Sequence, residues 1–399
     1  MKTVELNRIS RLLEGHLWVF SNELAISPKI FLPGSLVELR DKKSTFLGIG
    51  YVNPNSLISI RILTREKEEI DESFFKRRIT DALEYRKRFV KNTNSFRVVY
   101  SEGDLLPGLI VDKYDDCLSI QFLTLGMDSL QELIIKVLDD IFSPSAIVVR
   151  NDSSARLLEG LTIEKKIVKG NLDKLPIMRD NGLMFEIDPM AGQKTGFFLD
   201  QRENRKAFSE LVKEKLGTHA KHGSGSRSGL DLFSYTGAWA MHLAAKDASV
   251  IGVDDSAEAV KQAERNAELN GLSEKCVFKK ANAFDFVKAE ASAKKTYDFI
   301  ALDPPAFVKS KARIKEAIKG YREINSGAMK LLKKNGLLAT CSCSYHIDRA
   351  AFFDILRGAA RDAGRLFRVI ETRSQAKDHP ALLSVPETAY LKCVIMEVL

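Results

Sequence analysis

The residues best equipped for covalent chemistry lie at Cys341-Ser342-Cys343-Ser344, where the apolar run Gly336–Cys341 ends. Cys341 and Cys343 are two of five cysteines in 399 residues. A thiol becomes a nucleophile when it ionises, and a thiolate can add to an electron-poor carbon and later be expelled. One of the pair is expected to face a ligand crevice and the other the core. A second reactive group stands upstream, where the apolar strand Asp298–Leu302 runs into Asp303-Pro304-Pro305-Ala306-Phe307. Two prolines fix an extended loop. They hold Asp303 at a sheet edge, where its carboxylate can accept from an exocyclic amine or a ring nitrogen. Plainer readings stand beside these: an inert buried cysteine and a turn-initiating aspartate. A metal site is a poor reading, because no CxxC pair exists and His346 alone supplies too few ligands.

A cofactor crevice is expected beyond the carboxyl ends of the neighbouring strands. Asp231-Leu232-Phe233-Ser234-Tyr235-Thr236-Gly237-Ala238 reads as strand, turn and helix start. Asp231, Phe233 and Gly237 therefore line the crevice. Val250–Val253 leads into Asp254, an acid able to take both ribose hydroxyls of a nucleoside. A dinucleotide site would want GxGxxG to bring backbone amides onto a pyrophosphate; here Gly237 is the only glycine in the turn. S-adenosylmethionine carries no phosphate, and Asp231 can hold its ammonium. The pattern favours that donor over NAD. Asn282, Ala283 and Phe284 follow the third strand and can meet an adenine through an amide and a stacked ring. Asn282 reads equally well as a helix N-cap.

A thiol facing a methyl donor points to carbon methylation. C5 of cytosine is a weak nucleophile until a thiolate at C6 pushes electron density onto it. Loss of the C5 proton then expels the thiolate. A paired base is hidden, so the substrate base must be single-stranded or flipped out.

The elements that must position these residues fall into three segments of an α/β chain. Residues 1–70 read as a small β-rich domain, with Asn53-Pro54-Asn55 as a hairpin turn between Phe46–Val52 and Leu57–Leu63. Trp18, Phe46 and Tyr51 read there as core before base-stacking groups. Residues 71–175 read as an α/β linking domain. It opens on the helix Glu72–Lys91, whose Lys76-Arg77-Arg78 and Arg86-Lys87-Arg88 suggest a solvated face; a helix over Ser129–Ile141 follows. Residues 176–399 alternate strands and helices, as a doubly wound Rossmann-like sheet does. Gly271 closes the helix Ala257–Asn270, and His219–Gly229 is a Gly/Ser-rich loop. Lys plus Arg number 61 against 53 Asp plus Glu, giving +8, which is compatible with a polyanionic partner. Hydrophobic residues at 45% suffice for a packed core. No stretch approaches the roughly 20 apolar residues of a membrane span. The N-terminus lacks a secretory core, and sparse cysteines suit the cytoplasm.

With these residues in hand, the chain resembles the ribosomal RNA large subunit methyltransferase I family, which methylates cytosine C5 in 23S rRNA. Gly15-His16-Leu17-Trp18-Val19-Phe20-Ser21-Asn22-Glu23 resembles the start of that family's RNA-binding PUA domain. Glu102–Leu109 with Asp112 resembles its middle domain. Gly192-Gln193-Lys194-Thr195-Gly196-Phe197-Phe198-Leu199-Asp200-Gln201-Arg202-Glu203-Asn204-Arg205 resembles its most specific signature, and Asp378-His379-Pro380 with Pro386–Lys392 its C-terminal end. The resemblance implies three domains, with donor contacts at Phe198, Asp200, Gln201 and Arg202. It aligns the catalytic cysteine with Ser342-Cys343-Ser344, so Cys343 is the first candidate and Cys341 the second. No further cysteine follows Asp303-Pro304, which leaves the proton-abstracting base unassigned. Similar Asp-Pro-Pro-aromatic loops occur in enzymes that methylate base nitrogens such as those of guanine. A third alternative is a non-catalytic RNA-binding ribosome assembly factor, but Asp231, Gly237, Asp254 and Asp303 all stand at usable spacings. An exposed β edge in the first segment offers a route to a homodimer.

Overall fold

The computed structural model describes residues 1–219, 227–307 and 313–399. The expected Gly/Ser-rich loop lies outside the described residues over 220–226; His219 ends a helix and Ser228 opens a strand. The chain divides into two units. The first comprises Met1–Asp180, Ile187–Leu199 and Lys377–Ala389, and the second Asn181–Glu186, Asp200–Ala376 and Tyr390–Leu399.

In the first unit, β1 (Lys2–Glu5), α1 (Ser10–Leu13), β2 (Trp18–Phe20), β3 (Leu36–Arg40), β4 (Phe46–Val52) and β5 (Ile58–Thr64) build a sheet ordered β1-β3-β4-β5-β2. Alternating residues such as Val37, Leu39, Ile60 and Ile62 fill its core. Tyr51 is buried and its hydroxyl donates to the Pro107 carbonyl at 2.6 Å, so it packs rather than presents a ring. Next come α2 (Glu72–Phe89), β6 (Phe96–Tyr100), β7 (Leu109–Tyr114), β8 (Cys117–Phe122), α3 (Leu125–Ser129), α4 (Gln131–Phe142), β9 (Ala146–Asn151), α5 (Ala155–Leu158), β10 (Glu164–Lys169) and β11 (Ile177–Asp180). Their second sheet runs β10-β9-β8-β7-β6. The helix expected over Ser129–Ile141 is α4, which runs Gln131–Phe142 and is parted at Leu130 from the short α3 before it.

Helix α2 corrects one expectation. Asp71 caps it by accepting from Phe74 N at 2.9 Å, and Phe74, Phe75, Ile79 and Ala82 form its buried face. Arg86 falls four residues after Ala82 and shares that face. It is therefore fully buried, with its guanidinium forked onto Asp104. Lys76, Arg77, Lys87 and Arg88 stay exposed.

The second unit contains β12 (Leu183–Glu186), α6 (Arg202–His219), β13 (Ser228–Leu232), α7 (Ala238–Ala244), β14 (Ser249–Asp254), α8 (Ala257–Leu269), β15 (Cys276–Lys280), α9 (Ala283–Ser292), β16 (Tyr297–Leu302), α10 (Ile314–Lys330), β17 (Leu332–Ser342), α11 (Arg349–Ala363), β18 (Phe367–Arg373) and β19 (Lys392–Val398). Among the described residues, seven strands order as β15-β14-β13-β16-β17-β19-β18. Strands β13 to β17 are parallel, and β19 runs antiparallel to both of its neighbours. This is the expected doubly wound Rossmann-like α/β sheet. Ser256 caps α8 by accepting from Ala259 N at 3.2 Å, and Gly271 follows its end at φ 64°. Leu230, Leu232, Ile300, Leu302 and Leu338 pack under Tyr321, Ile324, Phe352 and Ile355 of α10 and α11. Because the strands are parallel, their carboxyl ends share one edge, where Phe233, Asp254, Asp303 and Cys343 emerge.

Leu338→Ala empties a fully buried place in β17 and is expected to cost about 2–5 kcal/mol. The readout is an earlier urea midpoint; an unchanged midpoint would contradict this packing.

Candidate active site at the carboxyl edge of the sheet

Asp303 follows β16 directly, and its amide donates to the Leu232 carbonyl at 3.3 Å. Gln201 Nε2 donates to Asp303 Oδ1 at 2.9 Å, and Trp239 Nε1 donates to Oδ2 at 3.2 Å. Gln201 is oriented in turn by Asn204 Nδ2, which donates to its Oε1 at 2.7 Å. Gln201 ends the single-turn helix Leu199–Gln201 that leads into α6, and Trp239 is the second residue of α7. Three elements distant in sequence thus meet on one carboxylate. Beside them Asp200 is buried, its carboxylate accepting from the Tyr390 hydroxyl and its carbonyl from Ala376 N at 2.8 Å. Arg202 and Arg205 are buried in the first turn of α6. Phe198 belongs to the first unit, where Lys194 Nζ lies 4.3 Å from its ring centre.

The turn after β13 is strained. Phe233, Tyr235 and Gly237 have φ of 65°, 47° and 82°. For each non-glycine this left-handed backbone costs roughly 1–2 kcal/mol, and such strain collects at functional sites. Asp254 holds the turn: its Oδ2 accepts from Tyr235 N at 2.8 Å and its Oδ1 from Ser256 N at 3.0 Å. No side chain fits at Gly237, where a Cβ would stand 2.6 Å from the Phe278 ring. Asn282 Oδ1 accepts from Phe284 N at 3.0 Å, so the N-cap role is realised. Ala283 behind it is buried. The rings of Phe233 and Phe284 lie 6.4 Å apart, and Phe307 is 6.4 Å from Phe233 and 6.0 Å from Phe284.

Asp231 supplies a buried carboxyl group to the crevice. It is fully buried; Oδ2 accepts from Ala240 N at 3.0 Å, and Oδ1 has no partner among the described residues. Burial, helped by the negative Asp303 and Asp254, raises its pKa to about 8. Ser234 Oγ and Thr236 Oγ1 are likewise buried without partners among the described residues. An orphaned buried carboxylate oxygen suits an ammonium, and three aromatic rings suit a nucleobase. The residues fit an amino-acid-bearing nucleoside.

The two thiols part company. Cys341 lies inside β17, paired with Cys393 of β19, and has no exposed surface. Burial and the adjacent Cys393 push its pKa well above the ordinary thiol value. Cys343 stands one residue beyond the strand and is partly exposed. Strict alternation would have put residues two apart on the same face; they differ because β17 stops at Ser342. Tyr321 of α10 joins this segment to the Asp303 loop. Its hydroxyl lies 2.9 Å from Ser344 Oγ and 3.4 Å from the Pro305 carbonyl oxygen. Trp239 and Tyr321 carry no sequence signal for these positions, whereas Asn204 and Tyr390 lie in the quoted motifs without any sign of their partners: Gln201 and Asp303, for instance, are 102 residues apart.

Residues 3–65 match the PUA-like domain family and residues 225–378 a methyltransferase domain family. Two solved structures share the fold over the full chain. One is described as a SAM-dependent methyltransferase from Streptococcus mutans (TM-score 0.81, 20% identity, covering 100% of both chains). The other is a methyltransferase complexed with SAH (TM-score 0.82, 21% identity, covering 100% of this chain and 99% of that one). Ribosomal RNA large subunit methyltransferase I of Shewanella amazonensis is 37% identical over 389 residues, covering 96% of this chain and 95% of the relative. Its namesake in Pseudoalteromonas atlantica is 34% identical over 402 residues, covering 100% and 99%. At this identity over nearly its whole length, the chain belongs to the ribosomal RNA large subunit methyltransferase I family.

Proposed function

We propose that this chain methylates C5 of a cytosine in 23S ribosomal RNA through a transient bond from Cys343 to C6 of the base. The family is one of ribosomal RNA large subunit methyltransferases, and S-adenosylmethionine is the methyl donor. When bound, that donor supplies an electrophilic methyl group on a sulfonium. Asp231 would hold the ammonium of its methionine portion, Asp254 its ribose, and the Phe233 and Phe284 rings with Asn282 its adenine. Asp200, Gln201 and Arg202 border the same crevice, and Phe198 is a further candidate contact from its signature. Cys343 adds to C6 as its thiolate, and the electron pair moves to C5, which would take the methyl group as the donor's sulfonium leaves as a neutral thioether. Loss of the C5 proton to a base then forms the C5=C6 double bond and expels the sulfur as thiolate. Asp303, anchored by Gln201 and Trp239, accepts a hydrogen bond from the base amine.

One arrangement supports this reading above others. The partly exposed Cys343 is followed by Ser344, whose hydroxyl Tyr321 ties to the loop of Asp303, whereas Cys341 is sealed in and its thiol held protonated by burial. A second reading, methylation of a base nitrogen, draws on Asp303: a carboxylate with both oxygens anchored is well placed to accept from a ring N–H. Cys343→Ala separates them. Methyl transfer to RNA should fall at least a thousandfold with donor binding retained; a nitrogen-directed enzyme would keep its rate. Cys341→Ala should stay within tenfold of the parent.

Asp231 carries a pH prediction. Its folded pKa of about 8 exceeds the ordinary 3.8, so the folded chain holds an extra proton across that window. Its stability contribution therefore falls as pH rises from about 4 to about 8. Asp231→Asn should melt no lower than the parent at pH 8, yet bind the donor at least 100-fold more weakly. In the parent, donor affinity should rise from pH 6 to pH 8 with proton release, measured by calorimetry in buffers of different ionisation heat. Affinity flat with pH would remove the Asp231–ammonium pair.

RNA binding carries a salt prediction. If the exposed Lys76, Arg77, Lys87 and Arg88 of α2 each neutralise a phosphate, affinity should drop about 50-fold between 50 and 200 mM salt. A flat titration would exclude this helix as a phosphate contact.

A further inference from the structure

Cys343 needs a group that removes its proton, and no cysteine follows Asp303-Pro304 in the loop after β16. Lys392 opens β19, and the antiparallel register sets it across from Ser342, the last residue of β17. Only 8% of its surface is exposed. Its stem runs past the end of β17, and Nζ donates to the Ser344 carbonyl at 2.7 Å. Cys343 is thus held between two fixed points, Ser342 across from the Lys392 backbone and Ser344 at its ammonium. Lysine is rarely buried so far unless a counter-charge faces it.

Among the described residues, the titratable groups facing Lys392 are Cys343 and Asp348. Asp348 lies at the start of α11, and its Oδ1 accepts from Ala351 N at 2.8 Å. Burial lowers the Lys392 pKa to about 8, while Cys343 and Asp348 act to raise it.

We propose that Lys392 is the positioning residue that ionises Cys343, its amine taking the thiol proton and the resulting ammonium holding the thiolate at the end of β17. The S–H bond breaks with its electron pair left on sulfur, and an N–H bond forms. When the thiolate is expelled from C6, the same ammonium returns the proton to it. No further reagent is consumed. The inference rests on Cys343 as the attacking thiol, and it adds the group that activates that thiol.

The test is the rate at which iodoacetamide alkylates Cys343 in the full chain, followed against pH by peptide mass. The parent should inflect at least one pH unit below the ordinary thiol value of about 8.5. Lys392→Met should move the inflection up by a unit or more and slow alkylation at pH 7 about tenfold. Lys392→Arg, which keeps the charge, should retain the low inflection. Donor binding, measured alongside, should be unchanged in all three. A parent inflection at the ordinary value overturns the proposal without any variant, as does a Lys392→Met profile that matches the parent. Activity of Cys343→Ala is scored separately: if it still methylates RNA, the covalent reading fails, while the alkylation profiles still decide whether Lys392 and Cys343 are paired.

Discussion

Gln201 Nε2 and Trp239 Nε1 close on the two oxygens of Asp303, and the second unit's chemistry is organised around that grip. A carboxylate drawn from water must find donors or lose its charge. Gln201 and Trp239 are two such donors for Asp303. Satisfying it fixes where α6 begins, how α7 meets the sheet and how the loop after β16 leaves it. Tyr321 extends the arrangement by joining Pro305 to Ser344, and so sets Cys343 beside the same loop.

Three carboxylates share this edge, and each is satisfied differently. Asp254 spends both oxygens on backbone amides and keeps the turn after β13 in its left-handed form. Asp303 takes side-chain donors. Asp231 keeps one oxygen with no partner among the described residues and has a raised proton affinity. The orphaned Asp231 oxygen gains from a cation, which is why a donor carrying an ammonium suits this crevice, in keeping with the absence of the dense glycine loop a pyrophosphate would want.

The first unit has a different character. Its α2 exposes Lys76, Arg77, Lys87 and Arg88 alongside Asp81 and Glu84, while buried charges are matched in pairs: Arg86 with Asp104, and Arg97 forked onto Asp112 at 2.8 Å. Thr195 and Tyr114 extend the Asp112 cluster. The Gly192–Arg205 signature therefore straddles the division of the chain, with its first half packing the first unit and its second half bordering the crevice.

Much of this was legible in sequence because it is local. Period-two and helical patterns mark the strands and helices of the Rossmann-like sheet, and parallel strands bring Asp231, Asp254, Asp303 and Cys343 to one edge. Caps such as Asn282 and the C-terminal Gly271 depend on neighbours a few residues away. Pairings between distant residues were not legible. Nothing near Arg86 in sequence says that its charge is buried against Asp104, and nothing near Trp239 says that its indole serves Asp303. The cysteines make the same point: alternation alone treats 341 and 343 alike, and only the end of β17 at Ser342, with Cys393 sealing Cys341, sets them apart. Residue type and spacing determined which chemistry was available; the packing of strands against their distant partners decided which atoms are free to perform it, because burial and hydrogen-bond satisfaction are properties of the assembled sheet.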